Sequence, residues 1–235
     1  VLAAEVTFYP IGYNPQAHTA IFGNTDLWRA AFNSFYVAII GCVLGLIGTC
    51  VAAYPMAYGN FYGKKLYVII IMFTMWFNAG IVPLFLTIRQ LGLYDSLWAL
   101  ILNSMITAYN VVIIRSYFSS IPFSVIESAR IDGATDYRIL FQLVIPLSKP
   151  VLATVALWLI VGHWNDYLNP LVLIHSQEHK TLQLFLKELV LNAETSTSNL
   201  ASVNDATNKG VAALSQQLKN GVLVVSMVPM LVLYP

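Results

Sequence analysis

A chain of 235 residues that is 58% hydrophobic and only 10% charged is not built like a soluble domain, where roughly a quarter of residues carry charge. Its net charge of +1 argues against a nucleic-acid-binding surface. Cys42 and Cys50 share one apolar run, eight residues or about 12 Å apart along a helix, so they cannot bond to each other there and say nothing about redox compartment. No signal-peptide pattern opens the chain at Val1, and Pro235 falls inside an apolar run, so further residues are expected at both ends.

Residues 1–30 are mixed and turn-rich, and Asn24 or Thr25 can cap a short amphipathic helix through Asp26, Leu27, Trp28 and Ala31, an interfacial lead-in with Trp28 at headgroup depth. The first span is expected over about 32–54. Its Gly41, Gly45, Gly48, Ala52 and Ala53 allow another helix to approach closely. The turn from Gly59 to Lys65 is not a phosphate loop, because the spacing is wrong and no Ser or Thr follows the lysine. A second span over about 66–87 contains Asn78, Gly80 and Pro83, which predict a kink. A third covers about 96–118 and holds Asn103, Tyr109 and Asn110; a fourth covers about 151–174. Residues 175–216 are polar, helical over Thr181–Leu191 and loose over 192–209, and a last apolar run starts near Val222.

Between the third and fourth spans lies a polar stretch from Ile121-Pro122 to Ile145-Pro146. Ser124 with Glu127 reads as a capping box that starts a helix of about two turns. Gly133 is placed to close that helix in the left-handed conformation, and Thr135 to cap the next. Such a short helix must lean on something else while one polar face stays free.

This stretch resembles the cytoplasmic coupling loop, or EAA loop, of permease subunits of ATP-binding-cassette importers. The residues that carry the likeness are Glu127-Ser128-Ala129, Gly133 and Val144-Ile145-Pro146, with Ser128 in place of the family's central alanine. Asp132-Gly133-Ala134 and Pro146-Leu147-Ser148-Lys149-Pro150 narrow it to carbohydrate permeases of the maltose-uptake type. The resemblance implies an all-α polytopic transmembrane bundle of the type I importer permease fold, with five spans visible of an expected six. It implies a lead-in over 1–30 and a transmembrane domain over 31–235, with the coupling loop at about 119–146 and an outer loop at about 175–216.

The same resemblance implies a multi-pass protein of a bacterial cytoplasmic (inner) membrane that imports an oligosaccharide. Its expected partners are the lipid bilayer, a second homologous permease subunit, two cytoplasmic ATPase subunits and an extracytoplasmic solute-binding protein. No cofactor is expected on this chain, since ATP and Mg belong to the ATPase. Ser124, Glu127, Ser128, Ala129, Asp132, Gly133 and Ala134 are the expected ATPase-coupling residues, with Glu127 either a polar contact or the capping partner of Ser124. The charge rule for orientation is even: Lys64, Lys65, Arg115, Arg130, Arg138 and Lys149 fall inside, and Arg29, Arg89, Lys180, Lys187, Lys209 and Lys219 outside. Orientation therefore rests on the coupling-loop resemblance.

A second unusual run is Gly162-His163-Trp164-Asn165-Asp166-Tyr167-Leu168-Asn169-Pro170. Ionisable and amide groups within a span are costly unless they face protein or water. Aromatic faces beside amides suit a sugar path, so His163, Trp164, Asn165, Asp166, Tyr167 and Asn78 are its candidates. The run also resembles the oligosaccharide-permease branch, with substrates such as aldouronates or alginate. The plainer reading of the same residues is an aromatic belt plus helix-to-helix hydrogen bonds.

His175-Ser176-Gln177-Glu178-His179 spells an H-x-x-E-H pattern, but it falls in a turn after a span, with only His18 and His163 elsewhere, and is read as an interfacial turn and not as a metal site. The rival to an ATP-driven importer is an ion-coupled transporter or channel, which would need paired mid-membrane titratable groups and discontinuous helices at two related places.

Overall fold

Apolar sequence with few backbone-satisfying side chains has to bury its N–H and C=O groups in helices, and helices with connecting turns are all that appears among the described residues. The computed structural model describes residues 25–77, 79–189 and 191. Expectations for 1–24, Asn78 and 192–235, including the last apolar run, lie outside them. The chain divides into two units, residues 33–179 and a second one made of Val1–Phe32 with Lys180–Pro235. In the second unit, residues 182–189 are helical, as expected, and Lys180 Nζ pairs with Glu188 Oε1 at 2.7 Å.

Helix α1 spans Thr25–Tyr58 and is the one described helix long and apolar enough to cross a membrane unaided. The expected lead-in helix over 25–31 is not separate; it is the first turns of α1. Pro55 sits inside α1, three residues from its end. The other three spans expected in this region are broken. Helix α2 (Lys64–Trp76) and α3 (Ile81–Gln90) part at 77–80, where Gly80 takes φ 84°. The break is therefore at the glycine, and Pro83 lies in the first turn of α3, where its missing N–H costs nothing. Helices α4 (Leu97–Asn103) and α5 (Ala108–Phe118) meet at a 50° bend across 104–107. The expected continuous span over 151–174 is α8 (Lys149–Asn165), a break at Asp166, and the short α9 (Leu168–Leu173).

Between α5 and α8 stand α6 (Phe123–Ile131) and α7 (Asp136–Leu147). Within α7, Leu140–Val144 widens into a π turn, and the Ile145 N–H reaches back to the Leu140 carbonyl. The wide turn falls just before Pro146, which has no N–H to give and would crowd a normal α turn. Ser148 forms an 85° elbow between α7 and α8.

Two apolar cores hold residues 33–179 together. The larger joins the second half of α1 to Ile114 and Phe118 of α5, Ile126 of α6, Ile139 and Val144 of α7, and Val155 and Leu159 of α8. The smaller joins Val37, Ile88, Leu100, Ile101 and Leu173. The small residues of α1 allow close approach, as expected. Gly41 lies against His163, Gly45 against Leu159 and the Met105 carbonyl, and Gly48 against Ile106.

Asp95 stitches the turn after α3 to the exit of α9. It takes φ 60°, a left-handed conformation that non-glycine residues seldom adopt. Its Oδ1 accepts the backbone N–H groups of His175 at 2.8 Å and Ser176 at 2.9 Å, and the Ser176 hydroxyl at 3.1 Å. Partial burial pushes this carboxyl up, but those donors and His179, 3.9 Å away, outweigh it and hold it below the usual carboxylate range. A carboxyl whose folded pKa is lowered contributes fully above the unfolded value of about 4 and loses that contribution as pH falls through the folded value. Asp95→Asn should thus cost about 1 kcal/mol at pH 7. The gap between the two unfolding temperatures should narrow below about pH 4. A gap that stays constant with pH would show that the charge is not what holds the loop.

Candidate functional site: a polar cleft and an exposed hairpin

Two places stand out in residues 33–179. The first is a cleft of about 500 Å³ between the α4–α5 break and the far half of α8. Ser104 and Thr107 come from the break, Tyr109 and Asn110 from α5, Trp158, Gly162, His163 and Asn165 from α8, and Asp166 and Asn169 from the second break. Its polar groups are there because helices are interrupted. Ser104 Oγ donates to the Leu100 carbonyl at 3.1 Å, and Thr107 Oγ1 accepts the Asn110 N–H at 3.4 Å. Asp166 Oδ1 accepts the Asn169 N–H at 3.2 Å, and its Oδ2 the Asn169 side-chain amide at 2.7 Å. Three of these four bonds satisfy backbone groups beside a break; the fourth joins the Asp166 and Asn169 side chains.

Two exposed aromatic rings face this cleft. Tyr109 and Trp158 have centroids 5.9 Å apart, with planes 31° from parallel. His163, 8% exposed, stands at the wall. Its Nδ1 lies 3.4 Å from Ser104 Oγ. Because the Ser104 proton goes to Leu100, the consistent assignment has Nδ1–H donating to Oγ, which leaves Nε2 as an acceptor turned toward Gly41.

Of the expected path residues, the structure brings His163, Asn165 and Asp166 to the cleft. Trp164 is not there. It is buried, edge-on to Phe35 at 4.9 Å, because it stands one residue, or about 100°, round the helix from His163 and so turns away from the cleft. Tyr167 is also outside the lining, and Asn78 lies outside the described residues. Of the three amide and phenol residues noted in the third span, Tyr109 and Asn110 reach the cleft and Asn103 does not. Ser104, Thr107 and Trp158 were missed by sequence reasoning, and Asn169 stood in the unusual run without being named for the path. For Trp158 the signal is the spacing 158, 162, 165, which puts Trp, Gly and Asn on one face of α8. The H-x-x-E-H histidines lie in the turn that Asp95 organises, and His179 Nδ1 is 3.0 Å from Ser176 Oγ.

The second place is the α6–α7 hairpin. Ile126, with no exposed surface, plugs α6 into the larger core, and Ala129 and Ala134 rest against that core. The capping-box expectation fails. Helix α6 begins at Phe123 with Pro122 in the cap position, so Ser124 lies inside the first turn. With Pro122 fixing the chain direction, the helix starts two residues too early for that box. The Ser128 hydroxyl donates to the Ser124 carbonyl at 2.8 Å, and the exposed Glu127 is not tied up as the partner of a capping serine.

The C-terminal end behaves as expected. Gly133 takes φ 78°, its N–H reaches the Arg130 carbonyl at 3.0 Å, and the Ala134 N–H reaches the Ala129 carbonyl at 3.0 Å, a Schellman closure. Thr135 then caps α7. Arg130 donates to Asp136 Oδ1 at 3.0 Å, which pushes the guanidinium pKa further up. Ser124, Glu127, Ser128, Asp132 and Gly133 are all exposed. So are Ile131 at 81% and Tyr137 at 76%, apolar side chains that a solvated hairpin has no reason to present.

One helix long and apolar enough to cross a membrane, further apolar helices interrupted around a polar cleft, and an exposed hairpin are the features of a membrane permease. The family described as the binding-protein-dependent transport system inner membrane component matches residues 41–234, and the chain belongs to that family. The polygalacturonan/rhamnogalacturonan transport system permease protein YtcP of Bacillus subtilis (strain 168) is 31% identical over 235 residues, all of this chain and 81% of that protein. Protein LplC of the same organism is 33% identical over 227 residues, 97% of this chain and 75% of that one.

A solved structure of a bacterial ABC transporter involved in the import of the acidic polysaccharide alginate superposes with a TM-score of 0.86 at 31% identity, over 100% of this chain and 82% of the other. The fold is therefore that of a type I importer permease, and the chain is a transport subunit, as the hairpin resemblance implied. Membership of a binding-protein-dependent family sets aside the ion-coupled rival, although discontinuous helices are present.

No atom stands within 4 Å of where a Cβ on Gly133 would sit, so the cost of Gly133→Ala is backbone strain alone. It should lower stability by about 1 kcal/mol, with Gly133→Asn milder because asparagine tolerates the left-handed region. Thermal unfolding of the two variants beside the parent checks this ordering.

Proposed function

We propose that the chain is one of two permease subunits of an ATP-driven importer of oligosaccharides, and that it crosses a bacterial cytoplasmic membrane several times. The cleft is the observation that carries the substrate class. The faces of Tyr109 and Trp158 suit the C–H faces of sugar rings, and Asn110, Asn165 and Thr107 suit their hydroxyls. Its described lining holds amides, hydroxyls and one carboxylate, and neither Lys nor Arg, so sugar hydroxyls are the groups it is built to bind. The names of YtcP and of the alginate transporter support a carbohydrate cargo.

The α6–α7 hairpin is the coupling element. Ser124, Glu127, Ser128, Ala129, Asp132, Gly133 and Ala134 form a compact knob that fits a cleft on a cytoplasmic ATPase, with Ile131 and Tyr137 as its apolar contacts. Two such ATPase subunits bind and hydrolyse ATP with Mg; this chain does no chemistry. A second homologous permease completes the path, and a solute-binding protein delivers the sugar from outside. The loop after α9 is the docking candidate on this chain.

Two experiments test the reading. With Cys42 and Cys50 replaced, Ala129→Cys should form a cross-link to a co-expressed ATPase subunit whose yield changes with ATP. No cross-link from Ala129 or its exposed neighbours would remove the coupling assignment. In reconstituted importer, Trp158→Ala should lower uptake of matched acidic and neutral oligosaccharides about tenfold or more, while ATPase assembly is unchanged. Undiminished uptake would move the sugar path off this cleft.

A further inference from the structure

The exposed hairpin and the polar cleft are joined through one helix. Tyr54, near the end of α1, is almost wholly buried and donates its hydroxyl to Asp136 Oδ1 at 3.1 Å. The same oxygen accepts Arg130 at 3.0 Å. Asp136 is the first residue of α7 and Arg130 belongs to the last turn of α6, so one carboxylate ties both arms of the hairpin to α1. The Arg130–Asp136 pair is solvent-exposed, and such pairs contribute little by themselves. The bond from the buried tyrosine crosses from the hairpin into the span.

Thirteen residues earlier, about 20 Å along the same unbroken helix, Gly41 stands so close to His163 that a Cβ would overlap the imidazole. His163 lines the cleft and bears on Ser104 across it. Helix α1 runs from one point to the other as a single helix, so a displacement at Tyr54 reaches Gly41 without crossing a break.

Resting on the importer reading above, we infer that Tyr54 is a positioning residue. It pins the hairpin to α1 through Asp136, so that movement of the hairpin shifts the Gly41–His163 contact and thereby the cleft. Arg130 orients the shared carboxylate.

The test uses the complete importer with Cys42 and Cys50 replaced and Gly162→Cys as a reporter in the cleft, labelled by a membrane-impermeant maleimide with and without Mg-ATP. Labelling in the parent should change with nucleotide. Tyr54→Phe should reduce that nucleotide-dependent change at least about threefold, while the separate Ala129→Cys cross-link to the ATPase and ATP hydrolysis persist. Asp136→Asn, which keeps an acceptor for the tyrosine, should retain most of the response; Asp136→Ala should lose it. A full response in Tyr54→Phe, a full response in Asp136→Ala, or a parent whose labelling ignores nucleotide would each overturn the inference. Loss of the cross-link in the parent would instead overturn the importer reading itself.

Discussion

Lipid cannot satisfy a free N–H or C=O, so every break in an apolar helix needs a polar partner close at hand. Here the expected spans after α1 break after Trp76, at 104–107 and at Asp166. Ser104 and Thr107 serve one break, Asp166 and Asn169 another. The groups that close these breaks are the groups that line the cleft. A polar path through an apolar bundle is in this sense the by-product of backbone satisfaction, with Tyr109 and Trp158 added as apolar faces beside it.

The hairpin follows the opposite logic. It lies between spans and exposes one face of α6 and the turn, so the stiffness of that face has to be local. The Schellman closure at Gly133, the cap at Thr135 and the π turn ahead of Pro146 supply it. Ile126 of α6 and Ile139, Leu140 and Val144 of α7 then anchor it in the larger core, and the Tyr54–Asp136 bond ties it to α1. An element with rigid internal geometry and firm attachments can transmit a push; a loosely packed loop would absorb it.

The helix-closing half of the hairpin was legible because glycine and threonine act within one turn of themselves. Its opening half was not. The Ser124–Glu127 spacing fits a capping box, but whether the cap falls at Ser124 or two residues earlier depends on how Pro122 leaves α5, which no local pattern encodes. The cleft was half legible for a similar reason. A run of polar and aromatic residues marks an unusual place, but neighbours in sequence diverge by about 100° round a helix. His163 and Trp164 therefore look alike in the sequence, but one lines the cleft and the other does not.

What the sequence alone determined was the membrane class, the rough position of the apolar helices, the close-approach face of α1, and the position and C-terminal closure of the hairpin. Those rest on composition, run length and short-range backbone preference. The tertiary structure decided where spans break, that Gly80 and not Pro83 interrupts the second, which side of α8 faces the cleft, and that Tyr54 meets Asp136 across 82 residues of chain. These outcomes depend on packing between elements far apart in sequence, where the energy of a contact is set by the neighbour that arrives and not by the residue that waits for it.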